Sequence, residues 1–472
     1  MAVAFSAQTG TAIRRSGLRL ALVFATLIAS LFVAHAIPDD RVADQLLDAR
    51  ESGEFSANNW TSNRPYDLQD KFADCLGLGM GLGEPGLFRS VALSDTIGKC
   101  SDANPALDTY AATGDLTSNW TYINYWHGYA VVTRPLVASI GVSATRALVT
   151  IAIAGAAAVL AIGAARRSRT PLAAVLVLPI VATTNLLWMA AALPTAIGAI
   201  AALAGPAIIL FRTPSASLQP SDEVALLARV VLAGGLVAFF DLLSVGPVSW
   251  SFSVAAVGIV CARRMLLATG AWVLGYGGVW AFKWLLAASV LGVGPVWTRI
   301  SDRVRFRLDG DNELVTDQLL ASSRRTFDYW LEQPLAEETL VFLCLLVAGS
   351  AWINRGNLRL WLRRFGLLAA PALIVPLWCE VVRNHTQIHD WLTYRFWAAA
   401  AGIIAMAALV SLPATSLGER RQDSISNRRT RHDESGSDGP SLVVDVRVPK
   451  RVGDGKACGL SDNGGSTDVP LP

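Results

Sequence analysis

The stretch CEVVRNHTQIHDWLTYRFW, residues 379–397, sets two histidines, two acids and two arginines between long apolar runs. His385 and His389 are four residues apart, so on a helix they share one face. H-x-x-x-H spacing suits zinc, but Thr386 stands where H-E-x-x-H has its glutamate, and no third ligand follows at a fitting distance. No metal and no cofactor is therefore expected. Two readings remain open. His385 and His389, with Arg383 and Arg395, hydrogen-bond a polar ligand or an anionic headgroup, or the stretch is a plain interfacial helix.

Other chemically capable residues are scattered along the chain. NYWHGYAVVTRP (124–135) carries His127 and Arg134 among aromatics of the kind that anchor helices at a membrane interface. The anchor explains Tyr125, Trp126 and Tyr129 and leaves His127 unexplained. Asp241 closes one apolar run, and Gly246-Pro247 opens the next. A carboxylate beside an unwound re-entry can build a polar pocket at membrane depth, and it can equally cap a turn in water. Lys283 in GYGGVWAFKW falls roughly 27 Å along a helix entering at Met265. It either snorkels to headgroups or faces a cavity, paired with Asp241 or a phosphate. Gly275, Gly277 and Gly278 permit close helix packing below it. Asp39 and Asp40 directly follow the first apolar run. Cys75 and Cys100 share a polar segment and form a disulfide if that segment is translocated. Closing that loop would stabilise it by roughly 3 kcal/mol in the chain-entropy model. CLGLGMGLGEPG (75–86) is not a strand–G-x-G-x-x-G–helix arrangement, so it is not read as a nucleotide site.

These residues must be positioned by membrane helices. Of the 472 residues, 53% are hydrophobic and 16% charged, against about 25% charged in soluble domains. Mean hydropathy is +0.42. A net charge of +3 offers no case for nucleic acid. Five lysines against 35 arginines, with abundant alanine, hint at a GC-rich bacterial genome. The reading is all-α: a polytopic bundle of about ten transmembrane helices with a large extracytoplasmic first loop. Residues 1–17 form a cytoplasmic N-terminus. Residues 18–37 form the first span, retained as a signal anchor or cleaved at Ala34-His35-Ala36. Residues 38–142 are the extracytoplasmic loop, with Asn-Trp-Thr sequons at Asn59 and Asn119. Residues 143–412 are the multi-span domain, with spans at 143–163, 172–191, 193–211, 225–243, 248–262, 265–292, 338–354, 361–379 and 395–412. Residues 413–472 form a polar tail, expected to be disordered and cytoplasmic. Arginine clusters in ARRSRT, CARRM, NRGNLRLWLRR and the tail fall on alternate connections, which puts both termini in the cytoplasm and 379–397 outside. No internal repeat supports an inverted-repeat transporter.

YWHGYAVVTRP, FDLLSVGPVSW, GYGGVWAFKW and NHTQIHDWLTYR together resemble a family of uncharacterised bacterial polytopic membrane proteins associated with surface-polysaccharide assembly. More distantly the chain is similar to the GT-C membrane glycosyltransferases. That similarity implies a large first outer loop, a polyprenyl-phosphate sugar donor, an envelope glycan acceptor, and a catalytic acid just after the first helix, here Asp39 or Asp40. The chain departs from the similarity in one respect: no large C-terminal periplasmic domain of the kind some members carry is expected from residues 413–472. The expectation is a lipid-linked glycosyltransferase of the bacterial plasma membrane that needs a base and cations for the departing phosphate. Asp39 or Asp40 would be the base, and Lys283, Arg134, Arg383 and Arg395 phosphate binders. His127, His385 and His389 would donate hydrogen bonds. Membrane lipids are the expected surroundings. A non-catalytic scaffold of envelope assembly and a lipid or sugar transporter are the alternatives.

Overall fold

The computed structural model of the protein describes residues 7–58, 70–84, 86–168, 170–214, 219–309, 313 and 315–412. The sequon at Asn59 and the tail 413–472 lie outside the described residues, as do residues 1–6. The described residues are largely helical, with two two-residue strands, and eight segments among them are long and apolar enough to cross a membrane. The chain reads as a multi-pass membrane protein.

The first, α1 (Ala7–His35), stops before Pro38, whose fixed φ and missing N–H suit a break. The described residues between 39 and 129 fold back as a cap on the end of the bundle that α1 reaches. The cap contains α2 (Asp39–Glu51), α3 (Lys71–Leu78) and α4 (Leu87–Leu93). Strand β1 (Asp95–Thr96), α5 (Cys100–Thr113) and β2 (Trp120–Thr121) follow. The two strands pair antiparallel, and a Cys75–Cys100 disulfide joins α3 to α5. Asp74 on α3 pairs with Arg146 at 2.5 Å and accepts the Leu193 N–H at 3.1 Å, which fastens the cap to the bundle.

The bundle begins with α6 (Ala130–Ser168), broken at Gly141, whose φ of 79° only glycine adopts without strain. The run 172–191, expected as one span, is in pieces. Pro171–Val177 and Leu186–Ala191 are 3-10 turns, and only α7 (Leu178–Ala182) is α-helical. Pro171 and Pro179 lack N–H groups, and Thr183, Thr184 and Asn185 compete for the backbone, so a continuous helix does not form. The hydroxyls of Thr183 and Thr184 accordingly donate to the carbonyls of Pro179 and Ile180.

Next come α8 (Leu193–Arg212), α9 (Pro220–Phe240), α10 (Gly246–Cys261) and α11 (Met265–Leu291). A short turn at Ala262–Arg264 joins α10 to α11 in one 46-residue apolar segment. This and the broken run account for eight such segments where ten spans were expected. A Cβ on Gly275 would strike the Val231 carbonyl, and one on Gly234 the Trp272 carbonyl, so α9 and α11 touch backbone to backbone. Gly277 and Gly278 face open space.

Amphipathic α12 (Val293–Asp309) and α13 (Ala321–Leu331) return to the cap end. There follow α14 (Ala336–Ile353), α15 (Leu358–Ala369) and α16 (Ile374–Val381). Two short turns, α17 (Arg383–Ile388) and α18 (Asp390–Thr393), lead into α19 (Arg395–Val410).

Candidate functional site

The singled-out residues do not share one cavity. They sit in separate networks at the cap end. Arg134, with a fully buried side chain, donates from Nε to the Ala34 carbonyl, from Nη1 to Met80 and from Nη2 to Ile37, at 2.8–3.0 Å. Its Nη2 also pairs with Asp39 at 2.8 Å. The other Asp39 oxygen accepts the Gly83 N–H at 2.8 Å. Arg134 thus ties the end of α1, the start of α2 and the cap to α6. Asp40 is exposed and accepts the Arg41 N–H.

Lys283 is wholly buried. Its ammonium donates to the carbonyls of Val91 and Ala92, both 2.9 Å, and to Ser94 Oγ at 2.7 Å. Three donors meet three acceptors at the C-terminus of α4, where the helix dipole favours a cation. Trp126 lies under the ammonium, 5.5 Å from ring centroid to Nζ.

His127 donates from Nε2 to the Tyr122 carbonyl at 3.0 Å, so its Nδ1 accepts the Tyr129 hydroxyl at 2.6 Å. Burial, with Lys283 nearby, lowers its pKa well below the usual histidine value. His385 is held the same way. Nε2 donates to the Leu243 carbonyl at 3.2 Å and Nδ1 accepts from Arg307. Burial, then Arg307, lowers its pKa well below the ordinary value. The His389 ring lies 4.7 Å from that of His385, tilted by 60°, and burial lowers its pKa to about 4. Asp241 accepts the Ser244 hydroxyl and the Val245 N–H at 3.1 Å, so it caps the α9–α10 turn from a buried position. Burial raises its pKa to about 6. Arg383 donates to the Leu308 carbonyl at 3.2 Å and lies 3.5 Å from Asp317 at the surface. Among the described residues no three of His, Cys, Asp or Glu gather as metal ligands.

Arg395 differs. It is 5% exposed and lines a cavity of about 520 Å³ at the broken run. Its Nε donates to Asn185 Oδ1 at 2.9 Å and its Nη1 to the Leu392 carbonyl at 3.3 Å. Its Nη2 has no partner among the described residues. Asp70 lines the same cavity. One Asp70 oxygen accepts the Ala73 N–H at 2.9 Å as the N-cap of α3, and the other has no partner among the described residues. Burial raises the Asp70 pKa to about 6 against the opposing effects of that N–H and of Arg395. Thr183, Thr184, Asn185, Thr195 and Gln333 supply polar lining, and Trp188 and Trp391 supply flat apolar walls. A carboxylate that titrates near neutrality, a guanidinium with a free donor and two indoles together fit a polar anionic ligand with a sugar-like face.

Sequence reasoning reached Arg395 and missed Asp70, Asn185 and Gln333. Thr183-Thr184-Asn185 is a visible signal, a polar triplet inside an apolar run. Asp70 carries none, since it is one acid of many in a polar loop. Compared with known protein families, curated proteins and solved structures, the chain matches none.

Proposed function

We propose that this chain is a multi-pass glycosyltransferase of the bacterial plasma membrane. In this reading it crosses the membrane ten times, with both termini cytoplasmic. Gly246–Leu291 counts as two passes and the broken run 171–192 as one more. The cap end faces outward, since the arginine clusters at 164–170, 261–265 and 354–364 lie on connections at the opposite end. The outer cavity takes a polyprenyl-phosphate sugar and passes the sugar to an envelope glycan hydroxyl.

One observation carries the reading. Asp70 and Arg395 line one cavity where a membrane pass is broken, and each keeps a polar atom without a partner among the described residues. Irregular backbone at membrane depth is tolerated where it lines a cavity. The base is Asp70 rather than Asp39, because both Asp39 oxygens already accept hydrogen bonds. The acceptor oxygen attacks the anomeric carbon and its proton passes to Asp70. The bond from that carbon to the phosphate oxygen breaks, and Arg395 Nη2 offsets the charge that develops on the phosphate.

The test is complementation of a deletion strain, with variants quantified in membranes and envelope glycan measured. Asp70→Asn keeps the helix cap and should lower transfer by about 10²–10⁴. Arg395→Met should fail likewise. Full complementation by both at wild-type abundance would replace this reading with that of a non-catalytic scaffold. The saturation of Lys283, Arg134 and His127 by protein partners favours the scaffold.

A further inference from the structure

A second cavity, of about 260 Å³, lies between α11, α12 and α16. Its walls are almost wholly apolar: Trp280 and Trp284 from α11, Trp378 from α16, and Ile300, Val304 and Leu308 from α12. The α12 residues follow the helical stripe i, i+4, i+8, and Arg303 and Arg307 interleave with them. The indole Nε1 atoms of Trp280, Trp284 and Trp378 are buried behind the ring faces, so the rings turn apolar surface to the cavity. Arg307 is half-buried on the same lining. Arg303 is exposed at the rim and adds a second cation.

We propose that this cavity binds a phosphate-bearing membrane lipid. The phosphate sits against Arg303 at the rim, beside Arg307, and the first carbons of the tail fill the space between the rings. The chemistry selects the ligand. An apolar cavity with two arginines at its edge matches an apolar tail that carries an anionic head. The position fits too. On α12, Val293 and Trp297 are 76% and 70% exposed, while arginines line its other faces, as in helices that lie in the interface. The site does not depend on glycosyl transfer at Asp70.

Two lipid sources share this chemistry, a prenyl monophosphate and a bulk anionic phospholipid. Purified full-length protein in detergent would be titrated with farnesyl phosphate, phosphatidylglycerol or dioleoylglycerol, with bound lipid counted by native mass spectrometry. At least one phosphate lipid should bind, and dioleoylglycerol should not. The tighter of the two phosphate lipids identifies the source. Arg303→Gln, at an exposed position, should weaken binding by about tenfold. Trp284→Ala removes an apolar wall of the cavity and should weaken it about fivefold. Asp70→Asn should leave binding unchanged, which separates this site from the transferase reading. Equal binding of dioleoylglycerol, or unchanged affinity in both Arg303→Gln and Trp284→Ala, would overturn the proposal.

Discussion

At the scale of residues, unusual side chains divide into those the protein satisfies and those it leaves open. Lys283, the lysine placed among the apolar helices, belongs to the first group. Its three hydrogen bonds hold α4 against α11. Lys283→Met would strand three buried acceptors, so we expect a loss of roughly 2–5 kcal/mol. Thermal unfolding in detergent should show it as a lower Tm. A lysine whose role was ligand binding would leave Tm untouched. Asp70 belongs to the second group. Its folded pKa is raised from 3.8 to about 6. Its contribution to stability is therefore fully present below 3.8 and is lost as pH rises through about 6. Asp70→Asn should thus not lower Tm at neutral pH, even as transfer fails. Wild-type transfer should fall as pH drops through about 6 and the carboxylate takes up its proton, and this acid limb should vanish in the variant. The histidines attract notice in sequence because histidine is rare in this chain. What each one does depends on partners such as the Tyr122 and Leu243 carbonyls, which lie at no fixed spacing from it.

At the scale of elements, close packing and a deliberate break organise the bundle. Three glycines near Lys283 look alike in sequence, yet only Gly275 meets a neighbour's backbone. Gly275→Val should separate α11 from α9 and sharply reduce folded protein recovered from membranes, whereas Gly277→Val should be tolerated. Gel filtration of both variants in detergent checks the pair. The long apolar runs of α1, α8, α9 and α11 were legible because spanning length and composition are local properties. The broken run was misread as a uniform span, because hydropathy averages over Thr183, Thr184 and Asn185 and does not register the backbone groups they satisfy. The cavity it lines could not be read, since Asp70 and Arg395 stand 325 residues apart in the chain. Only folding brings an acid of the first loop to the start of α19.

At the scale of the whole molecule, the ten-pass reading is testable without function. After masking of native thiols, cysteines introduced at Arg167 and Arg363 should resist an impermeant thiol reagent in intact cells, and one at Asp317, exposed at the cap end, should react. Labelling of the first two would sink the assignment of sides. The cap itself has a further consequence, because it is not finished by its own residues. Arg134 reaches back to Met80, and Lys283 reaches back 192 residues to Val91. At about 5–20 residues per second, synthesis of that interval takes on the order of ten to forty seconds. For that time α4 is already made but lacks the ammonium that closes its carbonyls. The newborn cap must wait, incomplete and open to proteases and chaperones, until the fourth helix after α7 arrives. Truncated chains that end before α11 should therefore be degraded from the cap inward.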